Sequence, residues 1–349
     1  MTEPEQPVAR AIAALAAGRP LGESLAAEAF EQLMRGEATP VQAAALLTGL
    51  RVKGETAEEI AGAVRALRGA MRRVPVPADR AVIDTCGTGG GAVPTFNIST
   101  AAALVAVAAG ASVAKHGNRS FTSKCGSADV AEALGLPIQL EPPAAGQALE
   151  EDRMVFLFAP QYHPAMRFVA PVRRELAIPT VMNLIGPLAN PAGVRRQVVG
   201  VADAARGPLL ARALCRLGAE HALVVHGRVG MDEIAPAGPT SVWEVADREV
   251  RPWTLNPGDY ELEENHLDGL AGGDPAQNAD RIRRLLAEPR RDAVGRATVL
   301  LNAGAGLYVA GLAASLREGV DRGAAALEDG RAATALERVV ARARLSTSA

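Results

Sequence analysis

The spacing of apolar residues changes between Arg73 and Ala81, and that change limits what the chain can fold into. Before it, apolar residues recur every three to four positions in VARAIAALAAG, SLAAEAFEQLMRG, TPVQAAALLTGLRVKG and TAEEIAGAVRALRGAMRR, the repeat of helices with one buried face. Thr39-Pro40 provides a cap and a first-turn proline, and Gly54 a stop. Thr56 with Glu59 three residues on forms a capping box. The Pro-rich link VPVPADR closes this stretch. Beyond it, the short apolar runs AVID, ASVAK, MVFLFAP, QVVGV and HALVVHG alternate with helical stretches, each run ending in a Gly-rich or polar loop. That alternation predicts a parallel sheet in an α/β domain, and such sheets bind ligands beyond the carboxyl ends of their strands. The segment FVAPVRRELAIPTVMNLIGPLANPAG breaks the alternation with Pro-punctuated helices. The expected fold class is therefore α/β with two domains. A smaller, discontinuous α-helical domain takes residues 1–75 with about 168–193; a larger α/β domain with a mainly parallel central sheet takes 76–167 with 194–349.

Composition excludes several function classes. With 48% hydrophobic and 22% charged residues the chain is too apolar for disorder, and 349 residues suit about two domains of roughly 150 each. A net charge of −2, from 37 basic and 39 acidic residues, argues against a dedicated nucleic-acid binder. Cys86, Cys125 and Cys215 are scattered without CxxC spacing, so neither a disulfide framework nor a zinc site is expected. The start MTEPEQPVAR has no apolar signal core, and no apolar run reaches the roughly 18–20 residues of a membrane span. A soluble, cytoplasmic protein is expected. Only Lys53, Lys115 and Lys124 among the basic residues are lysine, so a lysine placed in a loop stands out.

Three loops follow apolar runs and concentrate polar chemistry. The first is Asp84-Thr85-Cys86-Gly87-Thr88-Gly89-Gly90-Gly91, continuing as AVPTFNIST. Its glycines let backbone N–H groups approach an anion, and Ser99 or Thr100 is placed to cap the next helix, whose N-terminus favours phosphate. Gly87-x-Gly89-x-x-Ala92 formally satisfies the dinucleotide fingerprint. However, Pro94 and a polar stretch intervene before the helix, whereas that fingerprint opens its helix directly. No GK[ST] follows, which excludes a P-loop; a merely flexible turn is the competing reading. The second loop, Lys115-His116-Gly117-Asn118-Arg119-Ser120 and on through FTSKCGSAD, holds two lysines, an arginine and the hydroxyls of Ser120, Thr122, Ser123 and Ser127. Cations with short donors suit a polyphosphate; a solvated basic loop is the alternative. The third, after HALVV, carries Asp232-Glu233, where carboxylates hold Mg²⁺ on substrate phosphates or are simply solvated. Tyr162-His163 and Arg173-Arg174 are placed to line the space between the domains, where an arginine pairs with a substrate carboxylate, although structural roles compete.

The motifs DTCGTGG, NIST, KHGNRS, GSAD, YHPAM, VRREL, NLIGPLANP and HGxxGMDE occur in that order. In them the chain resembles the anthranilate phosphoribosyltransferases, from the GEATP helix near Gly36 to the LNAGAGLYVAG helix near Gly311. The resemblance implies a nucleoside-phosphorylase-like class, a homodimer packed through the helices, and Mg²⁺. It implies transfer of the phosphoribosyl group of 5-phosphoribosyl diphosphate to the amine of anthranilate, releasing pyrophosphate, in tryptophan biosynthesis. Carried over by motif, Gly87, Asn118 and Arg173 contact anthranilate, Arg173 through its carboxylate. Gly87, Gly90, Gly91, Thr95, Asn97, Ile98, Ser99 and Thr100 bind the diphosphate. Lys115, His116, Gly117, Asn118, Arg119, Ser120, Phe121, Thr122, Ser123 and Ser127 hold the diphosphate and ribose-phosphate end. Ser99, Asp232 and Glu233 hold metal, and no catalytic acid or base is assigned.

Three positions depart from the family pattern. Gly91 stands where GTGGD has its aspartate, Val229 where HGxDGxDE has its first acid, and Ala177 where ELGxRT has its glycine. The expectation is that activity survives with altered Mg²⁺ dependence. A same-fold transferase for another aromatic amine, and a non-catalytic nucleic-acid-binding homologue, are the alternatives; Asn118 with Arg173 speaks against the first, and the charge balance against the second.

Overall fold

Residues 6–120 and 124–346 are described by the structure, a computed structural model. Four helices open the chain: α1 (Pro7–Ala16), α2 (Glu23–Met34), α3 (Pro40–Lys53) and α4 (Ala57–Gly69). Both expected caps form. The Thr39 hydroxyl accepts the Gln42 N–H at 3.2 Å, and the Gln42 carbonyl oxygen accepts the Thr39 N–H at 2.9 Å. Thr56 and Glu59 repeat the arrangement at 3.2 and 2.8 Å. Such caps contribute about 1 kcal/mol each. Buried Glu59 also accepts the Leu21 N–H at 2.7 Å and Lys53 Nζ at 2.9 Å, tying α3 to α4.

Seven strands follow: β1 (Val82–Gly87), β2 (Ser112–Gly117), β3 (Met154–Phe158), β4 (Arg196–Gly200), β5 (His221–Gly227), β6 (Thr240–Ala246) and β7 (Glu249–Leu255). They lie in the order β3-β2-β1-β4-β5-β6-β7, parallel from β3 to β5. Helix α5 (Ile98–Ala108) crosses from β1 to β2, and α6 (Ser127–Leu134) and α7 (Pro142–Asp152) lead from β2 to β3. Chain order runs outward from β1 in one direction and resumes at β4 in the other. The gap beyond the ends of β1 and β4 is therefore the topological switch point, the usual ligand crevice of such sheets.

β6 and β7 add an antiparallel hairpin that the apolar-run pattern does not reveal. Its two-residue turn has Asp247 and Arg248 at φ 54° and 64°, the backbone of a tight hairpin in a sequence lacking the usual Asn-Gly signal.

The Pro-punctuated segment packs back on the N-terminal helices. Val169, Val172, Val181 and Ile185 share one apolar cluster with Phe30, Leu46, Leu50 and Ile60, continuing to Leu210 and to Val199 and Val224 on one sheet face. The other face is covered by α5 and the helix Ala293–Val309. Among the described residues no helix is long and apolar enough to cross a membrane.

Candidate active site

The three loops singled out by their chemistry converge at the switch point. After β1 the chain passes through Gly89 and Gly90 at φ 70° and 86°, conformations that favour glycine. The Gly89 N–H donates to Asp232 Oδ2 at 2.8 Å, and the Ala92 N–H to the Gly230 carbonyl at 2.7 Å. The acid loop thus lies directly over the glycine loop. A Cβ on Gly87 would stand 2.7 Å from Asp232 Oδ2, and one on Gly200 would overlap the Asp232 carbonyl. These two glycines, paired across β1 and β4, make room for the acids to settle on the strand ends.

The acid pair carries unresolved charge. Burial raises the Asp232 carboxyl, opposed by the Gly89 N–H. Burial, then the neighbouring Asp232, pushes Glu233 well above the usual carboxylate range. Glu233 Oε1 accepts the Thr95 hydroxyl at 3.3 Å, whereas Oε2 is buried with no partner among the described residues. A buried acceptor left unpaired is costly, and two adjacent carboxylates with an orphaned oxygen suit a hard cation. Among the described residues no three His, Cys, Asp or Glu side chains cluster as a metal cage. The donor set therefore fits Mg²⁺, which takes one or two carboxylates and completes its shell with water and substrate phosphates.

Lys115 occupies a different place from that expected of a residue pointing at solvent. It is only 1% exposed; its Nζ donates to the Thr85 carbonyl at 2.6 Å and to Ser99 Oγ at 3.1 Å. Burial depresses its pKa, and Asp84, Cys86 and Glu233 oppose the shift. Lys115 sits beneath the glycine loop, pinning the end of β1 to the first turn of α5. Ser99 consequently does not cap α5. The N-cap is Asn97, which makes no side-chain cap bond because its amide is engaged by Cys125 and Asn278, while Lys115 holds the Ser99 hydroxyl in the first turn. Thr100 is buried with its hydroxyl unpartnered among the described residues.

The second loop leaves β2 at Gly117, where a Cβ would overlap Ser127 Oγ. Ser127 Oγ accepts the Asn118 N–H at 3.3 Å, and Asp129 takes Arg119 Nη1 at 2.7 Å and the Gly126 N–H at 2.8 Å. Asn118 and Arg119 remain exposed beside the crevice. Phe121, Thr122 and Ser123 lie outside the described residues. His116 is turned inward, its Nε2 3.2 Å from His163 Nε2. Arg173 is half-buried on the helix Ala170–Leu176 and its side chain has no hydrogen bond or ion pair among the described residues; Arg174 is exposed.

Several residues that shape the site receive no role from the sequence, although Asp84 and Asn190 stand in the DTCGTGG and NLIGPLANP motifs. Asp84 is fully buried; it accepts the His116 N–H at 3.2 Å and Asn190 Nδ2 at 2.8 Å. Asn278 donates to Asn97 Oδ1 at 3.0 Å. Asn302 bonds to the backbone of Ile234, next to the acid pair. An amide inside an apolar helix is the one sequence cue, and it points to Asn302 alone, since Asn278 lies in the polar helix Pro275–Ala287.

The geometry agrees with comparisons to known proteins. A helical bundle domain of the glycosyl transferase family matches residues 9–71, and the a/b domain of that family matches residues 79–333. The anthranilate phosphoribosyltransferase of Rubrobacter xylanophilus is 53% identical, covering 93% of this chain and 94% of that protein. The crystal structure of the Thermus thermophilus anthranilate phosphoribosyltransferase is 45% identical, with a TM-score of 0.90 over 96% of this chain and 99% of that one. The Saccharomyces cerevisiae enzyme in complex with PRPP and Mg is 27% identical, with a TM-score of 0.86 over 98% and 99%. With its helical bundle and its α/β domain both matched, the chain belongs to the anthranilate phosphoribosyltransferases, enzymes of the glycosyl transferase family.

Proposed function

We propose that this protein transfers the phosphoribosyl group of 5-phosphoribosyl diphosphate to the amine of anthranilate, in tryptophan biosynthesis, with Mg²⁺ on the diphosphate. The observation that carries the reading is the Asp232–Glu233 pair laid over the glycine loop, with a buried carboxylate oxygen left unpaired. In the reaction the amine lone pair attacks C1 of the ribose as the bond from C1 to the diphosphate oxygen breaks. Pyrophosphate leaves with that electron pair, and the amine proton passes to solvent. Such a step depends on aligned substrates and a stabilised leaving group more than on a strong base.

Gly90, Gly91, Thr95, Asn97, Ile98, Ser99 and Thr100 form the diphosphate side, and Lys115 through Ser123 with Ser127 the ribose-phosphate side. Asp232, Glu233 and Ser99 would hold the ion, which supplies charge neutralisation on the leaving group. Arg173 would pair with the anthranilate carboxylate, with Gly87 and Asn118 beside the ring. Residues 1–75 and about 168–193 form one unit and the remainder the other, so that Arg173 reaches the acceptor from the helical unit while Gly87 and Asn118 lie in the α/β unit. The protein acts in the cytoplasm as a homodimer joined through its helices; α3 supports this, since Val41 and Val52 are 79% and 81% exposed.

The decisive measurement is the loss of anthranilate fluorescence on incubation with phosphoribosyl diphosphate and Mg²⁺. No loss at saturating substrates would sink the reading. Arg173→Ala is expected to raise the KM for anthranilate roughly tenfold or more, the loss of one charge-assisted contact.

A further inference from the structure

We infer that Asn302 is a positioning residue for the metal-binding carboxylates: its amide clamps the peptide of Ile234 and thereby fixes where Asp232 and Glu233 point. This rests on the metal reading above.

Asn302 lies in the middle of the helix Ala293–Val309, where Leu300, Leu301, Ala303 and Ala305 are fully buried. Asparagine is a poor residue for a helix interior and an amide is costly to bury unpaired. Here nothing is left unpaired. Asn302 Oδ1 accepts the Ile234 N–H at 3.1 Å, while Nδ2 donates to the Ile234 carbonyl at 2.9 Å and to the Thr298 carbonyl, one turn back, at 2.9 Å. The first two bonds close a ring between the side-chain amide and the backbone N–H and carbonyl of Ile234, which belong to the peptides on either side of its Cα, so the backbone of Ile234 is held at both ends. Both amide hydrogens are used, which also fixes the side-chain rotamer.

Ile234 follows Glu233 directly. On the other side of the pair, Gly227 and Met231 exchange backbone hydrogen bonds at 3.0 Å in both directions. Asp232 and Glu233 are therefore held between two backbone anchors, one in their own turn and one supplied by Asn302. One turn on from Asn302, Gly306 faces β1: a Cβ there would be in ordinary contact with Ile83 Cδ1 at 3.4 Å and Thr85 Cγ2 at 3.7 Å. Asn302 thus references the acids to the same strand whose end carries the glycine loop. A cation shared between carboxylates and a diphosphate requires those two parts in fixed relation.

The test is a titration of Mn²⁺ into the full chain, followed by loss of the free-ion electron paramagnetic resonance signal. Asn302→Ala is expected to weaken Mn²⁺ binding roughly ten- to a hundredfold, the usual effect of removing a group that orients a ligand. Asn302→Asp keeps the acceptor but sets a carboxylate against two carbonyls, and is expected to act in the same direction if the alanine variant folds poorly. The same variants should raise the half-saturating Mg²⁺ in turnover while the KM for anthranilate stays within about threefold, since the acceptor side is untouched. Val320→Ala, which loosens the packing against Gly304 without touching the amide, controls for general destabilisation and should leave Mn²⁺ affinity unchanged. Folded Asn302 variants that bind Mn²⁺ as the wild type does would overturn the clamp alone. A wild-type protein that binds no Mn²⁺ would overturn the metal reading and the clamp together.

Discussion

A Cβ at Gly91 would lie 3.0 Å from Asp232 Oδ1 and 3.1 Å from the Gly230 carbonyl. An aspartate at this position brings a further carboxylate against Asp232, and only a cation makes that arrangement favourable. Gly91→Asp is therefore expected to lower the melting temperature in EDTA and to shift turnover toward lower Mg²⁺; superimposable Mg²⁺ curves would exclude a metal role for position 91. Val229 stands where the family pattern has its other acid and packs against the apolar core, a contact that a carboxylate would not make favourably. Lys115 behaves differently from a surface cation. Its two bonds to Thr85 and Ser99 need a compact ammonium, and a guanidinium has neither the shape nor the room. Lys115→Arg is expected to reduce kcat/KM for phosphoribosyl diphosphate by at least about tenfold, the equivalent of one lost charge-assisted hydrogen bond; unchanged kinetics would rule out a positioning role. That a lysine mattered here was legible from its rarity. That it points inward was not, because only the packing of α5 on β1 decides which way the strand end faces.

Among the elements, the helix Ala170–Leu176 ends at Ala177 with φ 51° and ψ 26°, a left-handed conformation that costs a non-glycine residue about 1 kcal/mol. Ala177→Gly should stabilise the protein by up to about that amount, measured as an upward shift in the denaturant midpoint. Periodicity and caps placed α1 to α4, and uninterrupted apolar runs placed the five parallel strands, because burial on both faces leaves a continuous signature. The β6–β7 hairpin is half-exposed and turns on Asp-Arg, so neither the run nor the turn announces it. The bracing asparagines escape for another reason: Asn302 and Ile234 are 68 positions apart, and a bond to backbone imposes no residue type on its partner.

Over the whole molecule, buried titratable groups oppose one another. Burial lifts Asp84 to about 6, against Lys115, Asn190 and backbone N–H groups. Burial lowers His163 to about 4, and lowers His116 well below the ordinary range, with the charges of His163 and Lys115 adding to the effect. The folded state holds the Asp84 proton more tightly than the unfolded chain, so acidification from about 6 toward 4 favours folding through that group. The unfolded chain takes up histidine protons first, so acidification from about 6.5 to 4 favours unfolding through the other two. Asp232 and Glu233, raised by burial like Asp84, act with it, so the two histidines are opposed by three carboxyl groups. Asp84→Asn removes one contribution that favours folding on acidification, so its melting temperature should drop further relative to the wild type as the pH falls from about 6 to 4; a constant difference would show that folding leaves the Asp84 carboxyl unshifted. At the surface, the proposed association through α3 is tested by Val41→Glu with Val52→Glu, which is expected to yield a monomer in sedimentation equilibrium where the wild type sediments as a dimer, since charges on an apolar contact cannot be desolvated cheaply; a monomeric wild type would overturn the association.

The margins of the sheet bear on that association. β7 is the outermost strand on one side, and it carries Glu249, Arg251 and Pro252 exposed along its length. A proline cannot donate a hydrogen bond to an incoming strand, and charges repel an apolar one. At the opposite margin β3 is buried beneath α6, α7 and the short helix Ala159–Tyr162. Neither border is open to strand-by-strand growth. Copies of this chain can meet through helical surfaces without competition from edge-to-edge stacking, and a partly opened molecule has little template on which to begin a fibril.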